Sequence, residues 1–401
     1  MKEIGVITTS RADYGIWRPV LRAMDDHPDL SPKVYITGSH LLSAHGRTAQ
    51  QIERDGYPIA AYVEGLLAGD SPQAISKAMG VTCSSFAQLF ANHRPDILFA
   101  LGDRFEMFAA VLAALPFNIP IAHLHGGEVT EGAIDDALRH GITKMSHLHF
   151  VATPRYAKRI VQLGEEPWRV TVSGAPALDH VLGEQLATRA EVEEFIGATL
   201  DRAPLVVTYH PVTRHGEERG RHAIKQFTEG LASWDGPIVI TQTNAERFHG
   251  AITGEIDAFV ASRPQTYFVG SLGIRRYFRL LSIAAAMVGN SSSGIIEAAS
   301  FELPVVNVGE RQRGRDHGEN VLHVAADARA ISEAIKKATS DAFRASLEGM
   351  KNPYGSGHAG TMIAETLAQV SIDEVLTTKR FFDMEPSLIK LSPSKSEDPH
   401  D

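Results

Sequence analysis

The residues best suited to chemistry lie in one run, Ala122-His123-Leu124-His125-Gly126-Gly127-Glu128-Val129-Thr130-Glu131-Gly132-Ala133-Ile134-Asp135-Asp136-Ala137-Leu138-Arg139-His140. It sets four acidic residues, three histidines and an arginine on a Gly-rich loop leading into a helix. Inverting a carbon centre needs a base on one face and a proton donor on the other. Neighbouring carboxyls whose pKa values are pushed apart supply both. A metal site competes, because His123 and His125 flank one residue and Glu128 follows. Residues two apart share a face only while a strand continues, however, and no Cys or further His completes a ligand set at the usual spacing. No metal is expected, and His140, His147 and His149 read as helix-surface or core histidines.

Asp103, in Leu101-Gly102-Asp103-Arg104-Phe105-Glu106, falls where a strand turns into a helix, a position for general acid–base work with Arg104 as its charge partner. The competing reading is a capping Asp beside a surface Arg. Thr8-Thr9-Ser10-Arg11-Ala12-Asp13 places hydroxyls and Arg11 at another helix start, suited to a phosphate or sugar hydroxyl, with capping by Ser10 or Asp13 as the plainer alternative. In the second half, His210 ends a strand and can contact a diphosphate. Val288-Gly289-Asn290-Ser291-Ser292-Ser293-Gly294 then turns through small hydroxyl residues into a helix whose backbone N–H groups can cradle phosphate. Glu297, one turn further, can accept from both hydroxyls of a ribose. The segment Gly309–Arg315 brings cations, Arg311 among them. There is neither a Walker Lys nor a G-x-G-x-x-G fingerprint. The set reads as a nucleotide-sugar cleft that needs no cofactor.

Positioning such loops requires strands ending at a common edge. Apolar runs alternate with amphipathic stretches, as in repeated βα units around a parallel sheet. Strands are predicted near Glu3–Thr8, Lys33–Thr37, Ile97–Leu101, Ile119–Leu124, Leu148–Ala152 and Val170–Val172. A second series follows at Leu205–Tyr209, Ile238–Thr241, Tyr267–Val269, Ala286–Val288 and Pro304–Val308. The helical, charged segment Pro176–Ala203 connects them. The fold class is therefore α/β, with two doubly wound, Rossmann-like domains facing a cleft, and ligands are expected beyond the strands' carboxyl ends.

The 401-residue length accommodates two such domains. A net charge of −9 without any Lys/Arg block gives no attraction to nucleic acid or to an anionic membrane. A phosphate ligand must then be met by a few placed cations. One cysteine, Cys83, cannot form an internal disulfide and reads as a small apolar residue. The opening Met1–Ile7 lacks a signal-peptide pattern, and no run reaches membrane-spanning length, so the expectation is a cytoplasmic protein. The stretch Leu391–Asp401, rich in Pro and Ser, reads as a mobile tail.

Taken together, GDRFE, HLHGGEVTEGAIDD…RHGITKMSHLHF and GNSSSGIIEAASFELPVVNVGERQRGRDHGENV resemble the hydrolysing UDP-N-acetylglucosamine 2-epimerases of bacterial sialic-acid and legionaminic-acid pathways, over about Ile4 to Ala368. The resemblance implies the glycosyltransferase-B fold, with a helix at Gly360–Val370 crossing back to the first domain. Domain limits of 1–175 (with 358–376 returning), 176–357 and a polar tail at 377–401 follow. It implies anti elimination of UDP to a 2-acetamidoglycal, then hydration at C1 and reprotonation of C2 from the other face. Asp103 and Asp135 are then acid–base carboxylates, with Glu128 the third; some members carry an acid where this chain has His125. His210, Ser291, Ser292, Glu297 and Arg311 match UDP-binding positions, Arg11 the N-terminal loop contact and Asn244 the cleft Asn. Arg104, His125, Arg139 and Gly294 complete the expected binding set. The implied products are N-acetylmannosamine and UDP, from a homodimer or homotetramer. A sister reaction on UDP-N,N'-diacetylbacillosamine is the alternative. A glycosyltransferase using a UDP-sugar is the rival of another class, which would need an acceptor groove and no acidic cluster at Glu128–Asp136.

Overall fold

A computed structural model describes residues 1–42, 48–67, 69, 71–130, 134–183, 185–210, 217–241 and 249–384. The first sheet contains β1 (Lys2–Thr8), β2 (Leu30–Thr37), β3 (Ile59–Val63), β4 (Ile97–Leu101), β5 (Ile121–Leu124), β6 (Leu148–Val151) and β7 (Val170–Val172). The second contains β8 (Leu205–Thr208), β9 (Ile238–Thr241), β10 (Thr266–Val269), β11 (Ala286–Gly289), β12 (Val305–Val308) and β13 (Val321–Val324). Their orders are β3-β2-β1-β4-β5-β6-β7 and β10-β9-β8-β11-β12-β13, and the neighbours pair in parallel. Each sheet reverses direction beside its first strand, so β1/β4 and β8/β11 open the two switch-point crevices where such sheets bind ligands. Central strands such as β4 and β8 are buried throughout, as parallel strands covered on both faces must be.

Most elements lie within a few residues of their expected places. Two edge strands were not foreseen. The β3 sequence Ile-Ala-Ala-Tyr-Val is mostly half-buried and carries two alanines. In β13 the sequence Val-Leu-His-Val holds its only fully buried residue at its start. Edge strands need less apolar sequence, so hydrophobic patterning marks them weakly.

Helix Arg11–Asp25 shows how the layers lock. Tyr14, Trp17, Val20, Leu21 and Met24 recur at helical spacing and are buried against the sheet, and the Trp17 indole donates to Ile7 O at 2.8 Å. Helix Ala359–Gln369 packs against helix Arg11–Asp25 of the first domain. Its first N–H groups, those of Ala359 and Gly360, donate to the Asp179 carboxylate at 2.9 and 2.6 Å. Its apolar face, Ile363, Ala364 and Leu367, joins the core of the first domain. At its far end Lys2 Nζ donates to the carbonyls of Leu367, Ala368 and Val370 at 3.0, 2.5 and 2.5 Å.

Residues 377–384, the described part of the expected polar tail at 377–401, continue a strap against the first domain. The Arg169 guanidinium, itself 2% exposed, donates to the carbonyls of Val375, Leu376 and Thr378. Lys379 reaches the buried Glu165 at 2.7 Å, where Lys144 and His149 also converge. Phe382 N donates to Gly164 O at 2.9 Å. Among the described residues no helix is long and apolar enough to cross a membrane.

Candidate active site

The cleft floor of the first domain is built at the ends of β1, β4 and β5. Asp103 follows β4, and its carboxylate accepts from the Arg139 guanidinium of helix Ile134–Met145. Arg139 is 3% exposed and also donates to Thr130 Oγ1 at 3.1 Å. Arg104, expected to pair with Asp103, donates instead to Glu106 at 3.0 Å. The capping alternative also fails here: Arg104 occupies the cap position and no side chain caps this helix. Arg139, expected on the substrate, is engaged by Asp103. Burial pushes the Asp103 carboxyl up; Arg139 opposes this, and the negative charges of Asp135 and Glu128 reinforce it. Asp135 itself is half-buried at the start of its helix.

The Gly-rich loop after β5 has a demanding backbone. His125 takes φ +62°, which a non-glycine residue rarely adopts, and Gly127 takes +73°. A Cβ on Gly127 would lie 2.5 Å from Tyr156 O, so glycine is required on two counts. This path turns the His125 ring onto Glu128, Nδ1 to Oε1, at 2.7 Å. Arg315 of the second domain stands 3.7 Å from the other carboxylate oxygen of Glu128. Burial alone would raise the Glu128 carboxyl, but His125, Arg315 and Arg139 together hold it down at about 2. His123 lies below the floor, with Nε2 2.8 Å from Gly102 O and Nδ1 3.2 Å from Thr143 Oγ1. Burial keeps it neutral, with a pKa of about 3. His149 is likewise a core residue on Glu165, and His140 is half-buried near Asp136. Among the described residues no three His, Cys, Asp or Glu side chains are grouped to hold a metal ion.

At the end of β1, Ser10 caps its helix by accepting from Asp13 N at 3.3 Å, and Asp13 accepts from Thr9 N at 3.2 Å. The plainer reading of those two residues therefore holds, while Arg11 is exposed beside them.

In the second domain, His210 follows β8 and Asn290 follows β11. The Asn290 side chain accepts from His210 N at 2.6 Å and donates to His210 O at 2.8 Å. The Asn290 carbonyl in turn accepts from Arg311 at 3.1 Å and Gln312 at 2.8 Å. One buried amide thus ties three of the expected UDP-contact segments into a unit. Burial, with Arg311 nearby, keeps the His210 imidazole neutral, at about 4. Ser291 caps the short helix Ser292–Ile296, and Ser293 Oγ lies 2.7 Å from the Tyr277 hydroxyl. Gly294 is buried in that turn, where a Cβ would lie 2.9 Å from Val305 Cγ1; what the structure accounts for at this position is packing against β12. Ser291, Ser292 and Glu297 are half-buried on this edge, and burial raises the Glu297 carboxyl. Asn244 lies outside the described residues.

Sequence reasoning passed over Asn290, Glu106 and Arg315 as individuals. Each stands within a segment already singled out, so the signal was position in a motif. Their partners, at separations such as the 80 residues from His210 to Asn290, are set by the sheet order.

Comparison with known proteins gives the family of the chain. Residues 22–368 match the family model for UDP-N-acetylglucosamine 2-epimerase. The chain is 34% identical over 387 residues to GDP/UDP-N,N'-diacetylbacillosamine 2-epimerase (hydrolyzing) of Campylobacter jejuni, covering 96% of this chain and 99% of the relative. It is 31% identical to a UDP-N-acetylglucosamine 2-epimerase of Neisseria meningitidis serogroup B, covering 96% and 100%. The crystal structure of the Neisseria meningitidis UDP-GlcNAc 2-epimerase bound to UDP-GlcNAc shares the fold, with a TM-score of 0.77 at 20% identity over 92% of this chain and 100% of that one.

Proposed function

The chain belongs to the UDP-N-acetylglucosamine 2-epimerase family, and from that premise we propose that it splits a UDP-linked 2-acetamido sugar, releasing UDP and the C2-inverted free sugar. The observation that carries this reading is the pair of carboxyls set among different partners in one cleft, Glu128 between His125 and Arg315 and Asp103 on Arg139, an arrangement that holds Glu128 low while burial pushes Asp103 up. In the first step the C2–H and C1–O bonds break, C1=C2 forms, and the electron pair leaves with UDP. Glu128, an ionised carboxylate, takes the C2 proton. In the second step Asp103, protonated more readily than an ordinary aspartate, gives its proton to the opposite face of C2 while water adds its hydroxyl to C1; the water's remaining proton returns to Asp103, and Glu128 releases the proton it took to solvent. Asp135 adds negative charge beside Asp103 and helps keep its proton. Arg11, Arg104 and Arg311 meet the diphosphate, whose negative charge grows as C1–O breaks. Ser291, Ser292 and Glu297 hold its nucleoside side, His210 lies against the phosphates, and Asn244 completes the contact set.

UDP-N-acetylglucosamine is the first substrate reading, giving N-acetylmannosamine for sialic-acid-type sugars. Similarity to the Campylobacter jejuni relative favours a second, UDP-N,N'-diacetylbacillosamine, on which the same two steps run unchanged. Incubation with each sugar nucleotide in D2O, followed by proton NMR, tests both. Free epimerised sugar carrying deuterium at C2, together with UDP, is expected, and the substrate that turns over selects the pathway. Release of UDP without deuterium at C2 would overturn the mechanism, and inertness toward both sugars would overturn the function.

A further inference from the structure

Arg315 belongs to the second domain, yet it forms an ion pair with Glu128 of the first, at 3.7 Å, and its side chain is 18% exposed. The loop carrying it is fastened across the domain boundary at the next residue. Asp316 accepts from Thr153 Oγ1 at 2.5 Å and from Arg155 at 2.9 Å, and Asp316 N donates to the Tyr156 hydroxyl at 3.0 Å. Tyr354 donates to Asp316 O at 2.8 Å, and its oxygen lies 2.9 Å from that of Tyr156. Thr153 and Tyr156 belong to the first domain and open helix Pro154–Gln162, which also fastens the Glu128 loop, because Arg159 donates to Gly127 O. The same clasp therefore fixes the cation and its carboxylate.

We propose that Arg315 is a positioning residue that reaches across the cleft to hold the Glu128 carboxylate in place, so that the proton-transfer centre is complete only when the UDP-binding domain is seated. The inference rests on Glu128 being the base. The groups facing Glu128 are His125 from its own loop, Asp103 after β4, Arg139 from helix Ile134–Met145, Tyr156 from helix Pro154–Gln162, and Arg315 and Tyr354 from the second domain. His125 is the nearest of these, and Arg315 is the only cation among them that leaves with the second domain. A buried carboxylate that loses such a cation is harder to ionise. A first domain from which Arg315 is withdrawn would thus hold a weakened acid–base centre.

The test compares wild type, Arg315→Met, Arg315→Lys and Tyr354→Phe, with UDP affinity measured by calorimetry and kcat followed across pH. Arg315→Met is expected to lower kcat about 10-fold or more and to move the acid limb of kcat upward by about one to three pH units. Its UDP affinity should stay within about threefold, Arg315→Lys should recover part of the loss, and Tyr354→Phe should shift the limb in the same direction by less. An unmoved acid limb with wild-type kcat in Arg315→Met overturns the inference. Should that variant fail to fold, an unmoved limb with wild-type kcat in Arg315→Gln, which removes the charge but keeps a polar side chain, overturns it equally. A fully active Glu128→Gln enzyme would instead overturn the assignment of the base, an outcome separable from the others.

Discussion

Asp103 and Glu128 differ in what stands opposite them. Glu128 is buried and Asp103 half-buried, each beside an arginine, but Glu128 also receives His125 at 2.7 Å, while Asp103 has two neighbouring negative charges. Their division of labour follows from those partners. Asp103→Asn and Glu128→Gln are each expected to reduce kcat by about 10²- to 10⁴-fold while leaving UDP affinity unchanged, since neither side chain belongs to the nucleotide half of the cleft. Coupled measurement of UDP release, with calorimetry for UDP, checks both. Either variant retaining near-wild-type kcat would remove that carboxyl from the reaction. The identities of these residues were legible in the sequence but their pairings were not. Arg104 is adjacent to Asp103 in the chain, yet Arg139, 36 residues on, is the one that reaches it. Adjacency at a strand end sends successive side chains in different directions.

The loops after β1, β4, β8 and β11 flank the two switch points, and the loop after β5, beside β4, adds Glu128 and Asp135. Asn290 shows how such a loop is kept rigid: its amide closes a two-bond bridge to the His210 backbone. Asn290→Ala would leave the buried His210 N–H and C=O unpaired. A loss of about 1–3 kcal/mol is expected, seen as UDP affinity lowered about 10-fold or more with a smaller drop in kcat, by calorimetry and steady-state kinetics. Unchanged affinity would show the bridge to be unimportant. The central elements were readable because buried parallel strands are continuous apolar runs punctuated by Gly, Asp and Ser. The edge strands β3 and β13 were not, and neither was the strap around Lys379. There the anchoring atoms are mostly backbone carbonyls, which have no sequence signature, met by a buried Arg169 whose type alone implies a surface.

Across the molecule, buried ionisable groups make stability dependent on pH in one direction. His40, His147 and His210 are held neutral with pKa values of about 4 and His123 at about 3, all mainly by burial. In the unfolded chain they protonate near the ordinary 6.5, so acid favours unfolding from there downward. Glu128 and Glu165 are displaced from 4.5 to about 2, in each case because cationic and hydrogen-bonding partners outweigh burial. Their contribution, up to about 3 kcal/mol each by linkage, is full above 4.5 and lost as pH falls toward 2. Urea unfolding is therefore expected to show stability falling from about pH 6.5 to 4 and more steeply below 4.5. Glu165→Gln should flatten the lower part of that curve. A stability that is constant across this range would contradict the assigned protonation states.

Lys2, gripping the carbonyls of residues 367–370, has a bearing on synthesis. As the polypeptide leaves the ribosome, the sheet that begins with Lys2 can assemble early, but the helix that seals part of its core is translated nearly 360 residues later. Until then the surface awaiting Ile363, Ala364 and Leu367 stays open to water and to chaperones, and the domain that emerges ahead of its neighbour is finished after it.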